Sequence, residues 1–511
     1  MTDQTSASLP KASSGRLIIH GGLVLAAGDE QARPADLLID NGTITEIGAP
    51  GQFDTLDATR RLDATDRLVM PAWVNGHTHA HGGLGRGAVA DTGLEGFLAA
   101  SPSINGQRGL DDMALSATLT AAELLKKGCT ALFDMTSEFP LPTVPGLHAV
   151  ARAYDAIGIR AVVAPMMADR TLYQAYPELL DTLPAPLKGQ AAQARAADPQ
   201  ACLSTVRAAA QDWPFDPSRV RLGIAPTIPL HCSDAFMQGC AQLSAEFNLP
   251  MQIHLAESQQ QAVVGEQRYG MSLVAHLNRL GMLSERLSVA HSIWIGDDDI
   301  EQLAQAGVTA IHNPLSNLRL GSGVAPVRRM VERGLRVGLG SDGANTSDTQ
   351  NLFEVARLAA YLSRIVGSDE TRWITAAEAL HMGTANSAQA LGWGDRLGKI
   401  APGYQADIVL LDLAQPIYVP LRDALRQLVH GENGAAVTHV LVAGRVVVEQ
   451  GRLLTVDEAA LRRQAQAAAE RLDALNAEGR HLAQALRPWI GAFCCGIGER
   501  PFHLQRRFPA H

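Results

Sequence analysis

The chain has 511 residues, 46% of them hydrophobic and 19% charged, with a formal net charge of −9. That length exceeds one simple core and implies a large domain with a smaller one. The acidic balance, without a Lys/Arg block, argues against a nucleic-acid partner, and no apolar run is long enough to cross a bilayer.

Residues 1–14, MTDQTSASLPKASS, are polar and carry no apolar h-region, so they read as a disordered start and not as a signal peptide. Residues 15–67 alternate apolar and polar, and Asn41–Gly42 is a hairpin signal between two strands. Material of the same style returns as DIVLLDL (407–413) and THVLVAGRVVVEQGRLL (438–454). A small β-sandwich built from 15–67 and 396–454 is therefore expected, with the middle of the chain inserted.

The middle, 68–395, alternates apolar runs with amphipathic stretches. Eight runs suit buried parallel strands: 68–75, 129–135, 159–165, 220–226, 249–254, 287–291, 308–314 and 335–342. The fold class is α/β, a (β/α)₈ TIM barrel with insertions. The longest gap, 168–219, holds Tyr173, Tyr176 and Lys188 and reads as a lid, a pocket wall or a surface helix pair. Residues 455–511 read as a long Ala-rich helix and a tail, with Thr455 and Glu458 as a capping box. That helix packs on the body of the protein or on a second subunit. The six scattered cysteines form no disulfide framework or CxxC cluster. A cytoplasmic location is expected, with each cysteine a small buried apolar residue.

Polar residues gather where apolar runs end. His77 and His79 follow the first run, His254 ends the fifth, His291 the sixth and Asp342 the eighth. In a parallel barrel these ends share one face. Alternate residues of a strand point the same way, so His77 and His79 can aim at one ion. With His254 and Asp342 they make an N₃O set suited to one Zn²⁺ with room for water, although Fe²⁺ fits the same ligands. His81 has the right parity, but Gly82 and Gly83 end the strand, so it reads as a substrate contact at most. Glu257 lies three residues past His254, where a carboxylate can serve as general acid/base without binding the metal. His291 is a further ligand or a proton-transfer partner.

The ordered segments PAWVNGHTH, GRGAVADTGLEGFL, HLAES, AHSIW, HNPLSNLRLGSG, GLGSDGANTSD and GKIAPGYQADIVLLDL resemble the amidohydrolase superfamily over most of the chain. The nearer likeness is to its aminohydrolase branch, which holds guanine, S-adenosylhomocysteine and 8-oxoguanine deaminases and triazine hydrolases. The resemblance implies His77, His79, His254 and Asp342 as metal ligands and Glu257 with His291 as the acid/base pair. It places Asn317 near the substrate. The fourth run lacks the lysine that bridges two metals, so one metal is expected. Two departures stand out. Thr227 occupies the place of a usual substrate-binding histidine, with His231 four residues on. The tryptophan and acid usual after Phe97–Leu98 are missing, which weakens nucleoside substrates. Arg86, which otherwise pairs with a carboxylate such as Asp91, and His312 complete the candidate substrate contacts.

The expected function is mononuclear, metal-dependent hydrolysis of a C–N bond. It would deaminate a small nitrogen heterocycle of purine, pterin, pyrimidine or triazine type. The alternative is an amide, urea or carbamate hydrolase, or a triazine hydrolase releasing an alkylamine or halide. A scaffold that has lost catalysis is a third reading, opposed by the full ligand set. The partners expected are a small-molecule substrate and, in a homodimer or larger assembly, further copies of the chain.

Overall fold

Asn41 and Gly42 both take left-handed backbone angles (φ 48° and 82°), the geometry of a two-residue hairpin turn. They join β2 (Arg33–Asp40) to β3 (Thr43–Gly48) in a computed structural model that describes residues 15–29, 31–89 and 91–507. The expected disordered start, 1–14, lies outside the described residues. With β1 (Arg16–Val24), β4 (Arg60–Asp63) and β5 (Arg67–Pro71) these strands form the N-terminal half of one nine-stranded sheet.

The run expected as the first barrel strand is divided. Its first half is β5, which belongs to the nine-stranded sheet. After Ala72 the chain changes partners: Ala72 N donates to Asp407 O and Trp73 N to Gly128 O. Only β6 (Trp73–Thr78) enters the barrel. Trp73 anchors it, fully buried and edge-on to Phe353 at 5.3 Å.

Parallel ladders then run from β6 through β7 (Cys129–Thr136) and β8 (Arg160–Met167) to a broken fourth position, β9 (Val220–Leu222) and β10 (Ala225–Pro226). A second ladder holds β11 (Met251–Leu255), β12 (Leu287–His291), β13 (Thr309–His312) and β14 (Arg336–Leu339). The bridge between Ile224 and Met251 joins the ladders, and Asp342 N donating to His77 O (3.0 Å) closes the ring. Val74, Phe133, Val162, Ala225 and Ile311 fill the interior. Each of the eight expected runs supplies a barrel strand.

The chain returns to the first sheet as β15 (Ile408–Asp412), β16 (Val437–Val442), β17 (Arg445–Glu449) and β18 (Arg452–Leu453). β15 pairs antiparallel with β5, which joins the two ends of the chain. Leu17, Ile19, Leu37, Ile39, Val69, Ile408 and Leu410 give this sheet a core of its own.

The C-terminal segment corrects one expectation. It forms two helices, Glu458–Leu475 and Ala477–Gly498, that meet at Asn476. The N-cap is Asp457, whose carboxylate accepts from Ala459 N and Ala460 N. Thr455 instead donates to Ile157 O, and Glu458 accepts from Lys126 Nζ at 2.6 Å, so no Thr455–Glu458 box forms. The second helix lies against the helices Leu94–Asn105 and Gln259–Tyr269 beside the C-terminal rim of the barrel. Among the described residues no helix is long and apolar enough to cross a membrane.

Candidate metal centre and active site

The strand ends bring His77, His79, His254, Glu257, His291 and Asp342 into one buried cluster. The last two sit in a strained backbone: His291 has φ 68° and Asp342 φ 61°, a region that β-strand sequence patterns do not announce.

Each imidazole is oriented by the hydrogen bond of its Nδ1. His79 donates to Met135 O at 2.8 Å and His254 to Thr227 O at 2.7 Å; a carbonyl only accepts, so both Nδ1 atoms carry the proton. His77 meets Gln252 Oε1 at 2.7 Å. Gln252 Nε2 already donates to Gly76 O and Ser288 Oγ, so its oxygen accepts from His77. The three Nε2 atoms are thus lone-pair donors facing inward.

His79 Nε2 and His254 Nε2 stand 3.0 Å apart, and His77 Nε2 has no hydrogen-bond partner. Asp342 Oδ1 lies 3.5 Å from His77 Nε2 and 3.4 Å from His79 Nε2. Lone pairs this close repel unless a cation lies between them, so three imidazoles and one carboxylate can hold one divalent metal ion. Burial opposes the charge of Asp342, but His77, His79 and His291 hold its carboxyl well below the usual range. Burial, then the neighbouring His77, pushes His79 down to about 4.

Glu257 is 2% exposed and its Oε1 has no partner. Burial, then the charges of Asp342 and Glu95, raise its pKa well above the ordinary carboxyl value. Its Oε2 is 3.5 Å from His291 Nε2. His291 Nδ1 is held by Asn317 Oδ1 at 2.8 Å, which leaves Nε2 free toward Glu257 and, at 3.9 Å, Asp342.

The candidate substrate contacts divide. His231 is buried beside Tyr176, with its Nε2 unpartnered and its pKa pushed by burial to about 4. Thr227 contributes its carbonyl to His254. Asn317 reaches the site through His291. Arg86 is drawn away: it forms an ion pair with Glu123, and Asp91 pairs with Arg319 instead. His312 does not join the cluster. Its neighbour Ile311 packs in the barrel interior, so strand alternation turns His312 toward the helix layer. There it lines a cavity of about 410 Å³ with Val327, Arg328 and Ala359. His81 lies in the turn Ala80–Gly85, its ring 5.1 Å from that of His79.

Sequence reasoning missed Gln252 and Glu95. Glu95 is a buried carboxylate whose Oε1 accepts from Ser258 Oγ at 2.5 Å and from Tyr176 OH at 3.3 Å. Cys494 Sγ, from the C-terminal helix, lies 3.7 Å from its Oε2. The 168–219 segment contributes Tyr176 to this wall; Arg268 pins it by donating to Ala175 O at 2.6 Å.

A sequence model described as amidohydrolase family matches residues 68–447. A 5-methylthioadenosine/S-adenosylhomocysteine deaminase of Syntrophobacter fumaroxidans is 32% identical over 87% of this chain and 95% of its own. A zinc-bound adenosine deaminase from Xanthomonas campestris superposes with a TM-score of 0.80 at 28% identity, covering 90% of this chain and 98% of that one. An atrazine chlorohydrolase from Arthrobacter aurescens, complexed with zinc, gives 0.77 at 26% identity over 89% and 100%.

Proposed function

Because the chain belongs to the amidohydrolase family, we propose that it is a mononuclear zinc-dependent deaminase of a purine nucleoside. One observation carries the reading. Four buried imidazoles commit their Nδ1 atoms outward; their Nε2 atoms gather around Asp342, and that of His291 also faces Glu257 Oε2, while Glu257 Oε1 has no partner. The similarity to nucleoside deaminases supports the substrate class. The missing acid after Phe97–Leu98 weighs less than expected, because Glu95, two residues before Phe97, places a buried carboxylate beside Glu257.

His77, His79, His254 and Asp342 would hold a divalent ion, which when bound would supply the Lewis acidity for ionising water near neutral pH. Glu257 handles the proton. Its raised pKa lets it take one at Oε1 and return it to the departing amine. His291 Nε2 faces the same carboxyl and shares that proton. The C–N bond at the amino-bearing carbon breaks, a C–O bond forms, and ammonia leaves. His231, Thr227 and Asn317 lie around the substrate, and Asp342 aims the attacking oxygen as well as binding the ion.

We also assign the chain to the cytoplasm, supported by six free cysteines, and to a homodimer or larger assembly, supported by the exposed Leu475 and Trp489 on its C-terminal helices. Sedimentation velocity checks the second point. The function is tested by measuring ammonia release from zinc-loaded protein with adenosine, 5-methylthioadenosine, guanosine and cytidine. Release from the purine nucleosides is expected. Release from none of them, with alkylamine or chloride released from a chlorotriazine, would replace this reading with the triazine alternative.

A further inference from the structure

Beside the metal cluster lies a group of buried polar side chains that the chemistry above does not use. Arg108 follows the helix Leu94–Asn105, and all three of its guanidinium nitrogens are shielded from solvent without a hydrogen-bond partner. His81 is 7% exposed with an unpartnered Nδ1, and Asn345 is 3% exposed with an unpartnered Nδ2. Three segments bring these groups together. Asn345 lies three residues past the ligand Asp342. It packs on the Ala80–Gly85 turn so closely that a Cβ on Gly82 would lie 2.4 Å from its Oδ1. The same turn meets the end of the helix, where a Cβ on Gly85 would lie 2.8 Å from Ile104. The charge of Arg108 is felt at His81, whose ring is 5.1 Å from that of His79.

An isolated guanidinium withdrawn from water is costly, and proteins keep one only where something pairs with it. Asp112 does not pair with it. Asp112 acts on Arg108 from a distance, but its carboxylate caps Gly109 N at 3.0 Å and forms an ion pair with Arg471. Arg108 therefore keeps its full fork of donors, a geometry that matches the oxygens of a carboxylate or phosphate. His81 and Asn345 add neutral hydrogen-bonding groups on the side toward the metal.

We propose that Arg108, with His81 and Asn345, forms an oxyanion-binding subsite of the substrate pocket, and that the preferred substrate carries an anionic group remote from the carbon that is deaminated. This rests on the deaminase reading for the reaction, and it adds the charge of the substrate. Arg108 here is a specificity residue that touches the substrate's anionic group and not the reacting atoms.

The test compares wild-type protein with Arg108→Gln and Arg108→Lys, all zinc-loaded, on three adenine compounds. 5-Methylthioadenosine is neutral at its 5′ end, S-adenosylhomocysteine carries a carboxylate there, and AMP a phosphate. The wild type is expected to favour one of the two anionic compounds, which identifies the oxyanion. Arg108→Gln is expected to lower kcat/KM for that compound at least tenfold, mostly through KM, because a charge-assisted hydrogen bond is lost, and to change the neutral one by less than about threefold. Arg108→Lys is expected to recover part of the loss. An equal fall for all three compounds, or no fall for any, overturns the subsite. Calorimetric titration of the same compounds separates this from the deaminase reading. Binding that depends on Arg108 without ammonia release keeps the subsite and sinks the reaction; binding indifferent to Arg108 sinks the subsite.

Discussion

The metal rim and the wall beside it are built by different means. The rim gathers residues from the ends of β6, β11 and β12 and the turn after β14, where the parallel barrel fixes direction and parity. The wall gathers Glu95, Arg108, Tyr176 and Cys494 from helices and loops that only the tertiary fold brings together, with Tyr176 and Cys494 hydrogen-bonded to Glu95. A strand end carries its address in the sequence, and a helix face does not. The rim should therefore control whether the reaction occurs, and the wall what is accepted and how stable the mouth is.

The largest expected effect lies at the rim. Asp342→Ala removes the only carboxylate ligand, so zinc content should collapse and ammonia release fall to background, checked by metal analysis of the purified variant. Next comes Glu257→Gln, which should keep one zinc per chain and lose about 10²–10⁴ in kcat, the range of general acid–base catalysis. Full zinc with full turnover in that variant would remove Glu257 from the mechanism.

A smaller effect is expected one layer out. Gln252→Leu deletes the acceptor of His77 Nδ1, so zinc affinity should weaken about 10–100-fold, read by competition with a chelator. Unchanged affinity would mean that the strand alone orients His77. The smallest effect belongs to the wall. Burial, against hydrogen bonds from Ser258, Cys494 and Tyr176, raises the pKa of Glu95. A raised carboxyl pKa favours folding at low pH and loses that contribution as pH rises through the folded-state value. Glu95→Gln should therefore gain melting temperature relative to wild type between pH 5 and pH 8. A difference constant across that range would show that Glu95 is ionised at no cost in the folded protein.

Much of the rim was legible beforehand. The spacing of His77 and His79, the run ends at His254, His291 and Asp342, and Glu257 three residues past His254 could be read from the sequence, whereas the left-handed backbone at His291 and Asp342 could not. His312 misled because it too ends a strand, but with the opposite parity, which only the packing of Ile311 reveals. The partner of Arg86, Glu123, was not legible because a helix distant in sequence supplies it. The division of the first run at Ala72 escaped notice because β5 and β6 are equally apolar, and the change of sheet is made by backbone hydrogen bonds to Asp407 and Gly128. The two β segments at the chain ends were readable as one unit through their shared alternation. Nothing in the spacing of Glu95 or Arg108 marks them as neighbours of the metal.

The most direct test of the account is to strip the purified protein with a chelator and titrate zinc back while following ammonia release from a purine nucleoside. The account predicts no activity in the stripped protein and a linear return that saturates at one equivalent of zinc per chain, with His254→Ala failing to recover. Turnover in the stripped protein, or a return that needs two equivalents, would contradict a single metal held by His77, His79, His254 and Asp342.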